Sequence, residues 1–248
     1  MHTPAPRTTE SVLSPRYIRC QSPLSEETRQ ASIVIAICIR NQAEHISAVL
    51  TSAFEQQVTV QKEAVVVILD DSSDDNWQAN IAQWLNHPQL VVISALCGSA
   101  ARARNTLLDW VDAELPAARW VARIDADDRF AEKNSVGALA LAGDMAGALY
   151  VLGSNHLESG GQLLSQRNIA DPEMLQNRSS LLEFIEGFGL HEQQQELPSC
   201  NLLLRAQSGI RYPDVVSAED HWLVAELLML KQHHGVVVPS PMYSVFPF

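Results

Sequence analysis

The chain has 248 residues, of which 46% are hydrophobic and 19% are charged, and its formal net charge is −12. This composition is ordinary for a globular protein long enough to bury a core, and it excludes a disordered or fibrous chain. The negative charge argues against broad binding to nucleic acid or to anionic lipid, because both need a basic surface.

The amino-terminal half of the sequence alternates apolar strands with helices. Residues 1–30 are rich in proline, serine, threonine and charge, and they predict a loosely ordered arm. The apolar runs 32–37, 64–69, 90–94 and 120–124 predict strands, and 42–54, 76–85 and 100–110 predict helices. Because these strands are apolar throughout, we expect them to be buried on both faces, as in parallel sheets.

The carboxyl-terminal half is less regular. It predicts a helix end and a buried strand within 137–152, a short helix at 181–188, a strand at 199–204, an apolar helix at 217–231 and a last strand from 236. The whole alternation predicts an α/β layered fold with a largely parallel sheet. Ligands of such sheets bind at the carboxyl ends of the strands, which is where this chain carries polar clusters.

No segment of the sequence predicts a membrane span or a secretory signal, since no apolar run reaches the required length. The four cysteines, Cys20, Cys38, Cys97 and Cys200, form no Cys-x-x-Cys pair. They therefore indicate buried, reduced thiols of a cytoplasmic protein rather than a zinc site or a disulfide framework.

The strongest functional signal is the acidic turn after the strand at 120–124. Asp125, Asp127 and Asp128 place three carboxylates within four residues, where they repel one another unless a cation or solvent relieves them. Magnesium and manganese prefer oxygen ligands, so an Asp-x-Asp turn suits a metal that bridges the protein and a diphosphate. A solvated turn with a helix-capping aspartate is the alternative.

A second acidic cluster, residues 70–75, follows the strand at 64–69. An acid at a strand end can accept hydrogen bonds from a ribose hydroxyl or a nucleobase. The alternative is a helix cap, in which Ser73 or Asp74 begins the predicted helix at 76–85.

Two further segments carry charges that a binding site could use. Arg102 and Arg104 are two residues apart, so on a helix they point to different sides. One of them could reach a diphosphate, and the other would be a surface charge. Glu219 and Asp220 begin the helix at 217–231, where a carboxylate could take the proton from an attacking hydroxyl or could simply be an acid favoured in a first helical turn.

In this order the clusters resemble glycosyltransferase family 2, which has the GT-A fold, over about residues 32–245. Segment 32–36 resembles the first strand of that family, 50–56 resembles its first helix, and 98–105 resembles its Ala-Arg-Asn helix. The turn at 68–74 resembles its Asp-Asp-Gly-Ser-x-Asp turn, 124–128 matches its Asp-x-Asp motif, and Glu219-Asp220 falls at its Glu-Asp catalytic motif.

The resemblance implies a single GT-A domain over residues 31–248, a Rossmann-like sandwich whose central, mostly parallel sheet is flanked by helices. Residues 31–130 would form a nucleotide-binding half, and residues 131–248 would form an acceptor-binding half. The implied reaction inverts the sugar while moving it from a nucleotide-sugar, commonly a UDP-sugar, to a hydroxyl of a glycan, a lipid-linked acceptor or a small molecule.

The resemblance also implies roles for individual residues. The donor contacts would be Ala36, Arg40, Asp71, Arg102, Asp125 and Ala126. Asp127, together with Asp125, would bind Mn²⁺ or Mg²⁺. Asp220 would be the general base, and Glu219 would help to hold the acceptor.

The sequence departs from the family pattern at two places. Cys38 and Ile39 stand where the family often has Tyr-Asn, which leaves Arg40 and Asn41 to supply polar contacts to the donor. Ser72 replaces the usual glycine of the acidic turn, and a serine is strained there if the turn needs a positive φ.

Two other functions remain open. A sugar-phosphate nucleotidyltransferase on a similar sheet should carry a glycine-rich loop with a basic residue after the first strand, whereas residues 36–40 contain no glycine. A non-catalytic module that binds nucleotide-sugars could keep the same fold. The retention of Asp71, Asp125, Asp127 and Asp220 argues against such a module.

Overall fold

The computed structural model describes residues 18–20, 24–159, 162–167, 177, 179, 180, 182, 183, 186, 202–230 and 234–245. The described strands are β1 (Ile18–Cys20), β2 (Ile33–Ile39), β3 (Ala64–Asp70), β4 (Leu90–Ala95), β5 (Trp120–Asp125), β6 (Arg129–Phe130), β7 (Tyr150–Ser159), β8 (Gln162–Arg167), β9 (Leu202–Arg205) and β10 (Gly235–Val245). The described helices are α1 (Glu26–Arg29), α2 (Ile46–Phe54), α3 (Gln57–Val60), α4 (Trp77–Asn80), α5 (Ala100–Glu114), α6 (Ser135–Ala146) and α7 (Glu219–Leu230).

These strands form one sheet in the order β1-β4-β3-β2-β5-β9-β7-β10-β6, and β8 pairs with β7. The central strands β4, β3, β2 and β5 run parallel to one another. Strand β9 joins antiparallel to β5 on one side and to β7 on the other. The four strands predicted in the amino-terminal half are confirmed, and so is the α/β fold with a central parallel sheet flanked by helices.

Each face of the sheet is covered by its own set of helices. On one face, alternate residues of the central strands pack against α5 and α7. On the other face, the intervening residues pack against α2, α4 and α6. Because both faces are covered, β3 is buried along its whole length, which explains why its sequence is apolar without alternation until its last residue.

The predicted helix at 76–85 is wrong over most of its length, because α4 ends at Asn80. No side chain caps α4, so the alternative interpretation, in which Ser73 or Asp74 begins a helix, is wrong. Instead, Ser73 Oγ accepts a hydrogen bond from the amide of Asn41 at 2.9 Å, and the amide of Asp74 donates to Asn41 Oδ1 at 2.7 Å. The acidic cluster is thus held against the end of β2 rather than starting a helix.

Elements at the two ends of the chain also bear on the predictions. The segment predicted as a loose arm contributes β1, which pairs antiparallel with β4, and α1, which Ser25 caps. The predicted helix at 217–231 and the last strand are confirmed as α7 and β10. The predicted helix at 181–188 and the beginning of the strand at 199–204 lie largely outside the described residues.

Among the residues that the structure describes, no helix is both long and apolar enough to cross a membrane. Cys38 and Cys97 are free thiols that are at least partly buried, as expected, whereas the free thiol of Cys20 is exposed. Cys200 lies outside the described residues.

Candidate active site

The acidic turns meet at one edge of the sheet because β2, β3 and β5 end at the same level. In the parallel register, Cys38 of β2 lies opposite Asp125 of β5. Its neighbour Ile39 lies opposite Asp70 of β3. The two acidic clusters therefore occupy the carboxyl edge of the sheet, where α/β folds bind ligands.

Asp125, the last residue of β5, is bound by two guanidinium groups. Arg123, two residues earlier on the same face of the strand, contacts both carboxylate oxygens. Arg104 of α5 donates to Asp125 Oδ1 from Nη2 at 3.3 Å. Burial opposes the ionisation of Asp125, but Arg123 and Arg104 outweigh it and lower the pKa of this carboxyl from its ordinary value.

The first turn of α7 brings Glu219 and Asp220 to the same two arginines. Glu219 accepts a hydrogen bond from Arg104 Nη1, and only 9% of its side chain is exposed. Asp220 Oδ2 lies 3.7 Å from Arg123 Nη1 and 3.8 Å from Arg104 Nη1. A buried, paired acid does more than favour a helix terminus, so this geometry favours the functional interpretation of the Glu-Asp pair.

The protonation state of Asp220 follows from its surroundings. Burial disfavours its charged form, but the His221 ring, whose Nδ1 lies 3.3 Å from Asp220 Oδ1, and the guanidinium groups of Arg123 and Arg104 favour it more strongly. Together they hold the pKa of the Asp220 carboxyl far below its usual range. Asp220 is therefore ionised at neutral pH, as a proton acceptor must be.

Helix α5 holds the segment that leads into α7. Asn105 donates to the carbonyl of Tyr212 at 2.8 Å and accepts from the Tyr212 amide at 2.7 Å. Arg102 forms an exposed ion pair with Asp214 at 2.9 Å. These contacts fix the approach of the chain to Glu219, so α5 sets the position of both acids of α7.

The two arginines of α5 point to different sides, as predicted, and Arg104 rather than Arg102 contacts the acids. The side chain of Arg102 is half exposed and is engaged by Asp214, so its contacts do not support the predicted role at the donor. Arg104 is the arginine that reaches the acids, with 11% of its side chain exposed. Arg123 was not predicted from the sequence, and Arg104 was predicted only as one of two alternatives.

Asp71, the predicted donor-binding acid, is buried and hydrogen-bonded to a loop. Its Oδ1 accepts from the amide of Cys97 at 2.6 Å, and its Oδ2 accepts from the amide of Gly98 at 3.2 Å. These bonds hold the loop between β4 and α5 against the end of β3. A carboxylate has about four acceptor positions, so Asp71 keeps the capacity to accept a further bond from a nucleotide.

Asp127 is the carboxylate of the Asp-x-Asp turn that best fits a metal ion. It is half buried, and no ion pair engages it in the described part of the chain. The described residues contain no group of three or more side chains that could hold a metal together. Mg²⁺, however, needs only one or two carboxylates when phosphate oxygens complete its shell, so Asp127 fits, whereas the oxygens of Asp125 are already bound by guanidinium groups.

The remaining predicted donor residues lie at or below the same edge. Ala36 is buried within β2, opposite Arg123. Arg40 is exposed and directly follows β2. Ala126 is buried in the turn between Asp125 and Asp127. Of these three residues, Arg40 presents a polar side chain at the edge.

Strained backbone surrounds the site. Asn41, Ser72 and Ala218 have φ values of 55°, 57° and 58°, in the left-handed region that L-residues rarely adopt. Ser72 stands where the family commonly has glycine, and its φ meets the condition under which strain was expected. Ala218 directly precedes Glu219, so two of the turns that present the acids have strained backbones.

The strain at Ser72 predicts a difference between two substitutions that both remove its hydroxyl group, which donates to the carbonyl of Ala95 at 3.1 Å. We expect Ser72→Gly to be more stable than Ser72→Ala by roughly 1–2 kcal/mol, because only glycine adopts a positive φ without cost. Thermal unfolding of the two variants measures this difference. Equal unfolding temperatures would show that the turn carries no strain.

A family model described as "Glycosyl transferase family 2" matches residues 32–205. That match includes β2, β3, β5 and the acidic turns at their ends. A search of curated protein sequences gives no significant match.

Solved structures share the fold at low sequence identity. A structure of S. aureus TarS 1-349 in complex with UDP-GlcNAc has a TM-score of 0.65 and 17% identity, covering 88% of this chain and 59% of that chain. The mannosyltransferase PcManGT from Pyrobaculum calidifontis, in complex with GDP-Man and Mn²⁺, has a TM-score of 0.58 and 16% identity, covering 90% of this chain and 60% of that chain. The chain thus spans about 60% of the length of these two solved chains and 37% of a longer solved TarS chain, and the likeness shows the fold.

Proposed function

Because the chain belongs to glycosyl transferase family 2, whose model matches residues 32–205, we propose that it is a metal-dependent, inverting glycosyltransferase. It would move a sugar from a nucleotide-sugar donor to an acceptor hydroxyl. The observation that carries this proposal is the convergence of Asp125, Glu219 and Asp220 on Arg104 and Arg123 at the carboxyl edge of the sheet.

Asp220 is the best candidate for the general base. Glu219 is more deeply buried, and its carboxylate is bound by Arg104, so it holds the site in place rather than accepting a proton. Asp220 is ionised, and 14% of its side chain is exposed. In the proposed reaction, Asp220 takes the proton of the acceptor hydroxyl while that oxygen forms a bond to the anomeric carbon.

The same displacement breaks the bond between the anomeric carbon and the diphosphate, which leaves as the nucleoside diphosphate. One displacement inverts the configuration, and it needs one base rather than the two flanking carboxylates of a retaining glycosidase. Asp127 would hold a divalent ion at the diphosphate, where the ion supplies neutralisation of the leaving group's charge. Asp125, oriented by its two arginines, would face the ribose and the diphosphate.

The donor is most simply a UDP-sugar. TarS was solved with UDP and with UDP-GlcNAc, whereas PcManGT was solved with GDP-Man. These complexes support a nucleotide-sugar as the donor class, and they make UDP and GDP the first nucleotides to compare. The acceptor would be a hydroxyl of a glycan, a lipid-linked molecule or a small molecule.

The nucleotidyltransferase alternative finds no support in the structure. Strand β2 runs to Ile39 and is followed by Arg40 and Asn41, without the glycine-rich loop that cradles a triphosphate. A non-catalytic module would have no need of a buried, ionised Asp220 beside Asp125. An assay for turnover of a bound donor distinguishes a non-catalytic module from the proposed glycosyltransferase.

Donor binding tests the proposal independently of the acceptor. We expect UDP to bind the wild-type chain and Asp71→Ala to weaken that binding by about 1–3 kcal/mol, the effect of losing a hydrogen bond to a charged group. Isothermal titration calorimetry measures the affinity. Asp112→Ala is the matched control, because Asp112 also accepts a backbone hydrogen bond, from Gln207 at 2.8 Å, but lies outside the site.

The two variants together separate donor binding from loop stability. Both lose a carboxylate that holds a loop, so both should lower the unfolding temperature, but only Asp71→Ala should weaken UDP binding. An unchanged UDP affinity in folded Asp71→Ala protein would remove Asp71 from the donor site.

A further inference from the structure

Arg123 is a charged residue of the central strand β5, whose other residues before Asp125 are apolar. It lies in β5 between Ala122 and Ile124, and 7% of its side chain is exposed. Placing a guanidinium group there is costly unless carboxylates compensate it. Among the described residues, Arg123 forms ion pairs with two of the acids that the proposed reaction uses, Asp125 and Asp220.

The contacts of Arg123 with these two acids involve different nitrogen atoms. Nη2 binds both oxygens of Asp125, on the same strand. Nη1 lies 3.7 Å from Oδ2 of Asp220, on α7. The planar guanidinium group thus spans the distance between an acid of the predicted donor half and an acid of the predicted acceptor half.

This arrangement can fix the orientations of the Asp125 and Asp220 carboxylates at the same time. Arg123 projects from a buried strand that pairs with β2 and β9, so its own position is rigid. A fork with fixed geometry transmits that rigidity to both carboxylates, which a flexible ammonium group cannot do. Arg104 adds a second link from α5 to the same two acids, at 3.3 Å from Asp125 and 3.8 Å from Asp220, and it also binds Glu219.

We propose that Arg123 is a positioning residue, which orients the base Asp220 relative to the donor-side acid Asp125. The inference rests on the proposed function, since it assigns the geometry of that same site. In this role Arg123 would not contact the substrate. Its effect on the rate passes through Asp220, because a misplacement of about 1 Å at a reacting group can cost roughly 10²-fold in rate.

A partly buried arginine of the neighbouring strand, Arg205, offers a comparison, with 26% of its side chain exposed. Arg205 of β9 stacks over the ring of Trp120 at 4.3 Å and pairs with Asp144 at 3.2 Å. These partners lie at the opposite end of β5 from Asp125 and include none of the proposed catalytic acids. Arg205→Lys is therefore a matched control, because it keeps the charge and loses the fork in a neighbouring strand.

The test is a double-mutant cycle between Arg123 and Asp220. Arg123→Lys keeps a positive charge near Asp125 but cannot also reach Asp220, so kcat should fall by about 10–100-fold. Donor affinity, measured by calorimetry, should change less than kcat. In the Asp220→Asn background, Arg123→Lys should change the rate by less than about 3-fold, because the group that it positions is no longer a base.

Circular dichroism and thermal unfolding establish that each variant is folded, and Arg123→Gln provides a second substitution if the lysine variant is not. Arg205→Lys should lower the unfolding temperature without changing kcat. Losses from Arg123→Lys and Asp220→Asn that multiply would overturn the positioning role, as would a wild-type kcat in Arg123→Lys.

This inference and the proposed function fail in different ways. Transfer by the wild-type chain together with independent losses in the cycle would refute the role of Arg123 alone. Absence of transfer by the wild-type chain with every donor would refute the proposed function and the positioning role with it.

Discussion

Asp220→Asn is expected to reduce sugar transfer by about 10²–10³-fold while leaving donor binding intact. Asparagine keeps the shape of the side chain and removes its basicity. The same contacts with Arg123, Arg104 and His221 that keep Asp220 ionised also make it a weak base. We therefore expect an effect in the lower part of the range for general bases, which extends to about 10⁴-fold.

Steady-state kinetics measures the expected loss of transfer, and calorimetry measures whether donor affinity is unchanged. The matched control is Glu226→Gln, because Glu226 is an exposed acid of the same helix that lies outside the site. Glu219→Gln should impair acceptor use more than donor binding, since the family resemblance implies that Glu219 helps to hold the acceptor. A wild-type rate in Asp220→Asn would show that Asp220 is only an acid at a helix start, and Glu219 would become the next candidate for the base.

Removal of divalent metal is expected to abolish transfer, and added Mn²⁺ or Mg²⁺ is expected to restore it. The reason is the charge of the leaving diphosphate, whose neutralisation by a metal contributes several kcal/mol, or more than about 10²-fold in rate. Asp127→Ala should lose activity to a similar degree and remain folded, because no ion pair holds Asp127 in the described part of the chain.

Transfer measured during a titration with chelator, followed by addition of each metal, tests this dependence. Asp109→Ala serves as the control for the loss of an acid, because Asp109 pairs with Arg211 on the surface of α5, away from the acidic turns. Full activity in excess chelator would exclude a metal from the reaction. Activity of Asp127→Ala equal to that of the control would place the metal on other residues.

The central fold could be predicted from sequence because its strands consist almost entirely of apolar residues. Strand β3 is buried at every residue, and β-branched apolar residues of this kind have few other stable places in a globular protein. The prediction of a helix at 76–85 was wrong because tertiary contacts determine the conformation of that segment. Trp77 and Ile81 are fully buried, and the chain continues through turns in which the amide of Trp84 donates to the carbonyl of Ile81 at 2.8 Å.

The choice between the two arginines of α5 could have been made from the sequence. Arg104 shares its helical stripe with Ala101, Leu108 and Val111, which are buried against the sheet, since residues three, four and seven apart lie on one face. Arg102 does not lie on that stripe. An arginine within the apolar stripe needs a carboxylate partner for its guanidinium group. That requirement predicts that Arg104, rather than Arg102, lies beside the acids of the site.

The need of Arg123 for an acidic partner could also have been predicted from the sequence. A lone arginine in an apolar strand is almost never buried without a partner. Asp125, two residues later, is on the same face of the strand. The second partner, Asp220, is 97 residues further along the chain (220 − 123), and only the folded sheet brings it close. The hydrogen bonds of Asp71 to the amides of Cys97 and Gly98 depend on loop geometry in the same way.

The most direct test of the proposed activity is the release of nucleoside diphosphate from a panel of UDP-sugars and GDP-sugars in the presence of Mn²⁺. Wild-type and Asp220→Asn chains are compared, with and without chelator, and the products are separated by chromatography. We expect the wild-type chain to release the diphosphate from one class of donor, and we expect chelator or Asp220→Asn to suppress the release. No release from any donor, or equal release by the Asp220→Asn chain, would contradict a glycosyltransferase with Asp220 as its base.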